Sequence, residues 1–196
     1  MPAYHFTSSW HLPWILASGE LVQSEQRIAD FPSPDFIWAT TSPRGDMTAT
    51  VRDGYRLGMV KLVRFTFDES EFFPWAEAQR RHPEWTEKHV SALERAARSQ
   101  DIGGWLCRAS ALPINLAKAI DVRTYTNNAW RPVTDLEVRG ATNADGSEWR
   151  VMRLLGEIEA SSRTVRRDGG WEFQGGDLAL PFEALPLATP QSFETR

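Results

Sequence analysis

The sequence predicts an α+β fold of short strands and short helices, followed by a strand-rich C-terminal extension. Three observations predict it. Short apolar and aromatic runs recur along the chain between glycine and proline turns, as strands do. Only one stretch, residues 74–99, keeps a sustained helical pattern. Beyond residue 130 the chain changes character, with β-like pieces set between Gly and Asn turns. The expected organisation is one domain over 1–130 and an extension over 131–196 packed on it, the boundary being soft. A chain of 196 residues is long enough for a domain with a real core.

Taken in order, Ala3 to Phe6 suits a buried strand, and Thr7, Ser8 and Ser9 offer hydroxyls to cap a helix. Leu12, Ile15 and Leu16 follow at helical spacing, Gly19 stops the helix, and Leu21-Val22 leaves as a second strand. Residues 24–35 carry Pro32 and Pro34 and read as a loop. Phe36 to Thr41 is a β-rich run closed by the turn 42–46, and a short helix is expected over 46–53. Met59 to Phe67 alternates well enough for a half-buried strand. The helical stretch 74–99 is expected to break near His82-Pro83, since proline removes a donor and clashes with the preceding turn. Trp75 and Trp85 read as its packing residues. Trp105-Leu106-Cys107 and Ala119 to Arg123 read as strands, with a loop or single turn at 112–116 between them. Glu148 to Ile158 is compatible with strand or helix. Trp171, framed by Gly169-Gly170 and Gly175-Gly176, suits an exposed tip or a hairpin anchor, and the tail reads as coil.

Composition excludes several functions. With 26 acidic and 22 basic residues the formal charge is −4, which argues against general polyanion binding and leaves room only for a local basic groove. Arg80-Arg81-His82 with Lys88, and Arg163 with Arg166-Arg167, are small clusters that read as solvated surface. The single Cys107 rules out an intrachain disulfide framework and any zinc site with two or more cysteine ligands. No run approaches the roughly 18 apolar residues of a membrane helix, so no membrane partner is expected. Met1 to Thr7 lacks the basic and apolar regions of a secretory signal, and a cytoplasmic location is the simplest expectation. Nine tryptophans against three tyrosines is unusual; indoles fill cores but also stack on bases and nicotinamide rings.

No phosphate-binding loop, GxGxxG, HExxH or GxSxG motif is present. His82 and His89 lie seven residues apart with no obvious third ligand, so no metal is expected. His5 stands out, lying in an apolar strand and followed by Phe6 and three hydroxyl residues. It is either a strand histidine satisfied by a backbone carbonyl or a donor facing a cleft, with hydroxyls and helix-start N–H groups ready for an anion.

The ordered set His5-Phe6-Thr7, Leu12-Pro13-Trp14-Ile15-Leu16, Gly19-Glu20-Leu21 and Ile37-Trp38-Ala39-Thr40 resembles the start of ADP-ribosyltransferase-fold proteins. It is most similar to the DarT-type DNA ADP-ribosyltransferases and the RNA 2′-phosphotransferases, over about the first 45 residues. The resemblance implies split, mainly antiparallel sheets with NAD bound between them as substrate, and ADP-ribosyl transfer to DNA, RNA or protein. His5 and Thr7 would hold the nicotinamide ribose, with Ser8 and Thr40 beside them. Trp38 would stack on nicotinamide and Arg108 would take a phosphate. Positioning and a nearby negative charge would then stabilise an oxocarbenium-like transition state. The family's third strand usually supplies a glutamate. The matching stretch here, 105–111, has no acid. Glu137, Glu148 and Glu157 are later candidates, with Glu148 favoured because it follows the turn 143–146 and precedes Trp149. The missing acid keeps a second reading open, a catalytically inactive scaffold that binds or inhibits a macromolecular partner. A third is an interaction role for the tryptophan-rich extension.

Overall fold

The computed structural model describes residues 1–23, 30–45, 60–97, 101–127, 129–134, 136–142, 147–154, 157–158, 162–167 and 170–175. The chain is α+β, with antiparallel sheets and few, short helices. The helix expected at 46–53 and the coil beyond 176 lie outside the described residues.

β1 (Pro2–Ser8) is followed by α1 (Leu12–Ser18) and β2 (Glu20–Leu21). The strand runs two residues further than the apolar pattern suggests, so Thr7 and Ser8 belong to it. The position before α1 is His11, which makes no side-chain cap, and none of the three hydroxyls caps the helix. The reason is competition, since the Thr7 and Ser8 hydroxyls meet His11 Nδ1 and the Ser9 hydroxyl accepts the Lys61 N–H at 3.0 Å. α1 ends at Gly19, whose left-handed backbone (φ 77°) lets its N–H reach the Ile15 carbonyl at 2.9 Å.

β3 (Ile37–Thr40), β4 (Leu62–Asp68) and β5 (Phe73–Pro74) come next. A 3₁₀ turn (Trp75–Glu77) leads into α2 (Ala78–Arg81); the chain breaks at His82-Pro83 and α3 (Glu87–Ala97) follows. Pro74 is therefore a strand residue, and the break falls where proline demands it. β6 (Trp105–Arg108), β7 (Leu112–Pro113), β8 (Ala119–Arg123) and β9 (Arg131–Pro132) complete the first half, with a 3₁₀ turn at Ile114–Leu116. The second half is β10 (Leu136–Thr142), β11 (Glu148–Leu154), β12 (Glu157–Ile158), β13 (Ser162–Arg167) and β14 (Gly170–Gly175). The stretch 148–158 is thus strand. Trp171 lies in β14, its side chain outside what the structure describes.

Seven strands form the central sheet in the order β5-β6-β3-β1-β4-β8-β9. A second sheet runs β10-β11-β13-β14 with β12 beside β11, and β2 pairs with β7. The central sheet carries a core on each face, while residues such as His5, Arg64 and Asp121 are half-buried. On the first face Val63, Phe65, Phe67, Ile37 and Val122 pack with Leu12 and Leu16 of α1, Leu21, Leu112, Ile114, and Met152 and Leu154 of β11. The second sheet shares that core. On the opposite face Phe36, Phe73, Trp75, Trp85, Trp105 and Cys107 close around Trp38. Farther along the same face, Trp130 takes the place of helix packing. The Arg64 guanidinium carbon lies 4.3 Å from its ring centroid and that of Arg123 4.7 Å, while Arg64 also pairs with Asp121 at 2.7 Å.

Trp85 is 1% exposed and touches Phe31, Phe36, Trp38, Trp75 and His89 edge to face or stacked. Its removal leaves a void bordered by rigid rings that cannot collapse. Trp85→Ala is expected to cost about 3–5 kcal/mol in urea unfolding, the range for a buried aromatic. Leu116→Ala, at an exposed position (44%), should change stability by less than about 0.5 kcal/mol.

Candidate functional site

Register decides which candidate side chains can meet. Tyr4 pairs with Thr40 across β1 and β3, and cross-strand partners share a face. Trp38 is two residues from Thr40 and so shares the face of Tyr4, whereas His5 points to the other. The contacts agree. His5 lies beside Phe65 of the first core with ring centroids 6.2 Å apart, while the Trp38 indole sits in the second core 5.2 Å from Trp75 and 5.9 Å from Trp105. The expected meeting of imidazole and indole across one cleft is not made; the thickness of the sheet separates them.

The two residues are nonetheless joined through the backbone. β1 and β3 share one bridge pair, Tyr4↔Thr40, and the Trp38 carbonyl lies just beyond it. His5 Nδ1 donates to it at 2.8 Å. A carbonyl only accepts, so Nδ1 carries the proton, and Nε2 of the neutral ring is left as an acceptor. Burial holds the His5 pKa below its ordinary value and outweighs the carbonyl, which favours the charged form. Asp35 anchors Trp38 from the other end, its Oδ1 accepting from the indole N–H at 3.0 Å and the Phe36 N–H at 2.7 Å. Burial raises the Asp35 pKa despite these two donors. Cys107, paired with Trp38, has its thiol pushed well above the usual range by burial and then by Asp35.

Thr7 shares the His5 face, being two residues along β1. The Thr7 and Ser8 hydroxyls each lie 3.1 Å from His11 Nδ1. The anion cradle expected at this helix start is not formed, because the backbone groups of Thr7 and Ser8 are in the sheet and Pro13 deletes a donor in the first turn. Thr40 is buried and its hydroxyl accepts the Ser42 N–H at 3.1 Å, closing the turn after β3. Arg108 donates to the Ser110, Ala111 and Glu71 carbonyls and to the Glu71 carboxylate at 3.1 Å, tying the loop before β5 to the end of β6. Glu148 opens β11, half exposed, with Arg150 3.6 Å away. It alternates with Arg150, Met152 and Leu154, the last two of which enter the first core, so its face of β11 is the one turned to α1 and the His5 side of the sheet.

Sequence reasoning missed three residues of this neighbourhood. His11 gathers the two hydroxyls; Trp14, one helical turn further on, carries the Arg150 guanidinium 4.9 Å from its ring centroid. The one available signal was the i, i+3 spacing of His11 and Trp14 on a helix. Arg150 gave none, because nothing local says that β11 packs against α1. Among the described residues no group of three or more His, Cys, Asp or Glu could hold a metal ion, and no helix is long and apolar enough to cross a membrane.

No family model, curated protein or solved structure matches the chain.

The depressed His5 pKa has a definite consequence for stability. Unfolded, the imidazole titrates near about 6.5. Below that pH the unfolded chain takes a proton that the fold resists, so stability falls as pH drops and levels off below the folded-state pKa. Urea midpoints at pH 8 and pH 5 should fall more in the wild type than in His5→Gln, which keeps a donor for the Trp38 carbonyl without a titrating group.

Proposed function

We propose that the chain is an ADP-ribosyltransferase-like protein that binds NAD on the His5 face of its central sheet and transfers ADP-ribose to a nucleic acid or protein. The observation that carries the reading is the state of His5, a neutral imidazole fixed by its Nδ1–H at the point where β1 and β3 part, with Nε2 turned to acceptor use. Such a ring can accept a hydrogen bond from a ribose hydroxyl without the cost of desolvating a charge. Thr7 on the same face supplies a hydroxyl, and Glu148 is a candidate acid whose strand face turns toward that side. Its carboxylate would offset positive charge developing at the anomeric carbon. The set is smaller than the resemblance implies, because Trp38, Thr40 and Arg108 are spent on packing, a turn and a loop tie.

That smaller set favours a second reading. With the Trp38 indole on the far face, nothing described here gives nicotinamide a stacking surface beside His5. The scaffold would then bind a macromolecular partner without turning NAD over.

The experiment is release of nicotinamide from labelled NAD in the presence of DNA, RNA or protein, alongside calorimetric NAD binding. The transferase reading expects turnover that falls about 10²-fold or more in His5→Ala, the scale of a lost positioning group, while the mutant melts as a folded protein. NAD binding without turnover would move the protein to the second reading. Absence of both binding and turnover in the wild type would overturn the NAD site altogether.

A further inference from the structure

The inward face of the β10–β11 hairpin changes character along its length. Its cross-strand pairs run Leu136↔Leu154, Val138↔Met152, Gly140↔Arg150 and Thr142↔Glu148. The first two pairs are apolar and pack in the first core. The next pair places an arginine where the sheet leaves that core. Its partner Gly140 lies close under it: a Cβ there would stand in ordinary contact, 3.7 Å from both Cγ and an Nη of Arg150, and crowd the Trp149 carbonyl at 3.1 Å. The arginine stem lies across the gap, and the guanidinium rests on Trp14 of α1, 4.9 Å from the ring centroid.

This guanidinium is under-used. Nε is sealed from solvent and meets no hydrogen-bond acceptor among the described residues. Among the described residues its ion-pair partner is Glu148, which stands off at 3.6 Å with its side chain 36% exposed, a separation and exposure at which an ion pair is worth little. The Arg150 side chain is itself 24% exposed, so the head is half desolvated yet reachable. A cation with one side against an indole and a sheet and no full counter-charge projects a stronger potential than a solvated arginine. A planar fork of donors in that state matches the oxygens of a phosphate group. Beside it, Glu148 offers acceptors for sugar hydroxyls.

We infer that Arg150, seated on Trp14 at the α1–β11 junction, is the phosphate-binding residue of a site for a sugar phosphate, with Glu148 receiving the hydroxyls. The site shares Glu148 with the function proposed above, but it needs neither NAD nor turnover. Two other features carry less. Arg64 beside Trp130 is already matched by Asp121 and the Pro43 carbonyl, and the tryptophan cluster around Trp85 is closed core.

Calorimetric titration of the full chain with inorganic pyrophosphate and with ribose 5-phosphate tests the site. The wild type should bind each with one-to-one stoichiometry. Arg150→Gln should weaken both by about tenfold or more, the worth of a charge-assisted hydrogen bond. Arg131→Gln, an exposed arginine on β9, should bind as the wild type does. Glu148→Gln should weaken ribose 5-phosphate more than pyrophosphate. If Arg150→Gln proves unfolded by its thermal melt, Arg150→Lys, which keeps stem and charge but loses the fork, should still weaken binding. No wild-type binding at millimolar ligand, undiminished binding in the Arg150 variants, or equal loss in Arg131→Gln would each overturn the site. Pyrophosphate binding without NAD turnover would retain it while sinking the transferase reading.

Discussion

A sheet that carries a core on each face must present apolar side chains on both, and that demand governs much of this molecule. β1 and β3 lie at the centre of seven strands, so their alternating side chains are dealt into two cores, one on each face. One face packs aliphatic and phenylalanine side chains against α1 and β11. The other closes with indoles, whose size lets a few residues fill the space under short helices. Four of the nine tryptophans, Trp38, Trp75, Trp85 and Trp105, serve this second face. α2 and α3 are too short to cover the second face with aliphatic side chains alone, and Trp75, Trp85 and Trp105 supply the missing volume.

Hydrogen-bond supply shapes the candidate site in the same way. Beyond the β1–β3 bridge pair the Trp38 carbonyl needs a donor, since a buried carbonyl left bare would cost about 1–3 kcal/mol. His5 meets that need, and in doing so has its tautomer set. Thr40 and Arg108 are consumed likewise, one by a turn and the other by three carbonyls and a carboxylate. Side chains that look reactive in a sequence are first claimed by backbone groups that cannot go unsatisfied. What remains for chemistry is what this accounting leaves over, namely the second nitrogen of His5 and the guanidinium of Arg150.

The second sheet is tied to the first by α1. Leu12 and Leu16 on one side of the helix share a core with Met152 and Leu154, while Trp14 meets Arg150 at the rim. The described apolar residues of β10 and β11 therefore belong to the first core. β9 still belongs to the central sheet, and β10 begins the next. The helix thus joins the Thr7, Ser8 and His11 cluster at its start to the polar end of the β10–β11 hairpin.

Local chemistry in the sequence was sufficient for the α+β class, the strand–helix–glycine turn–strand opening, the break at His82-Pro83 and the strands at 36–41, 105–107 and 119–123. Each is decided by neighbours in the chain: side-chain alternation, a missing proline donor, a glycine able to take positive φ. It could also name His5, because an imidazole inside an apolar strand must find a partner. It could not say which face His5 and Trp38 would occupy relative to each other, since that depends on the register of β1 against β3, strands more than thirty residues apart. Nor could it find Arg150, whose environment is made by Trp14 of α1, more than a hundred residues away in the chain. Those outcomes belong to the tertiary structure, because a one-residue change of register would turn every one of these side chains to the opposite face.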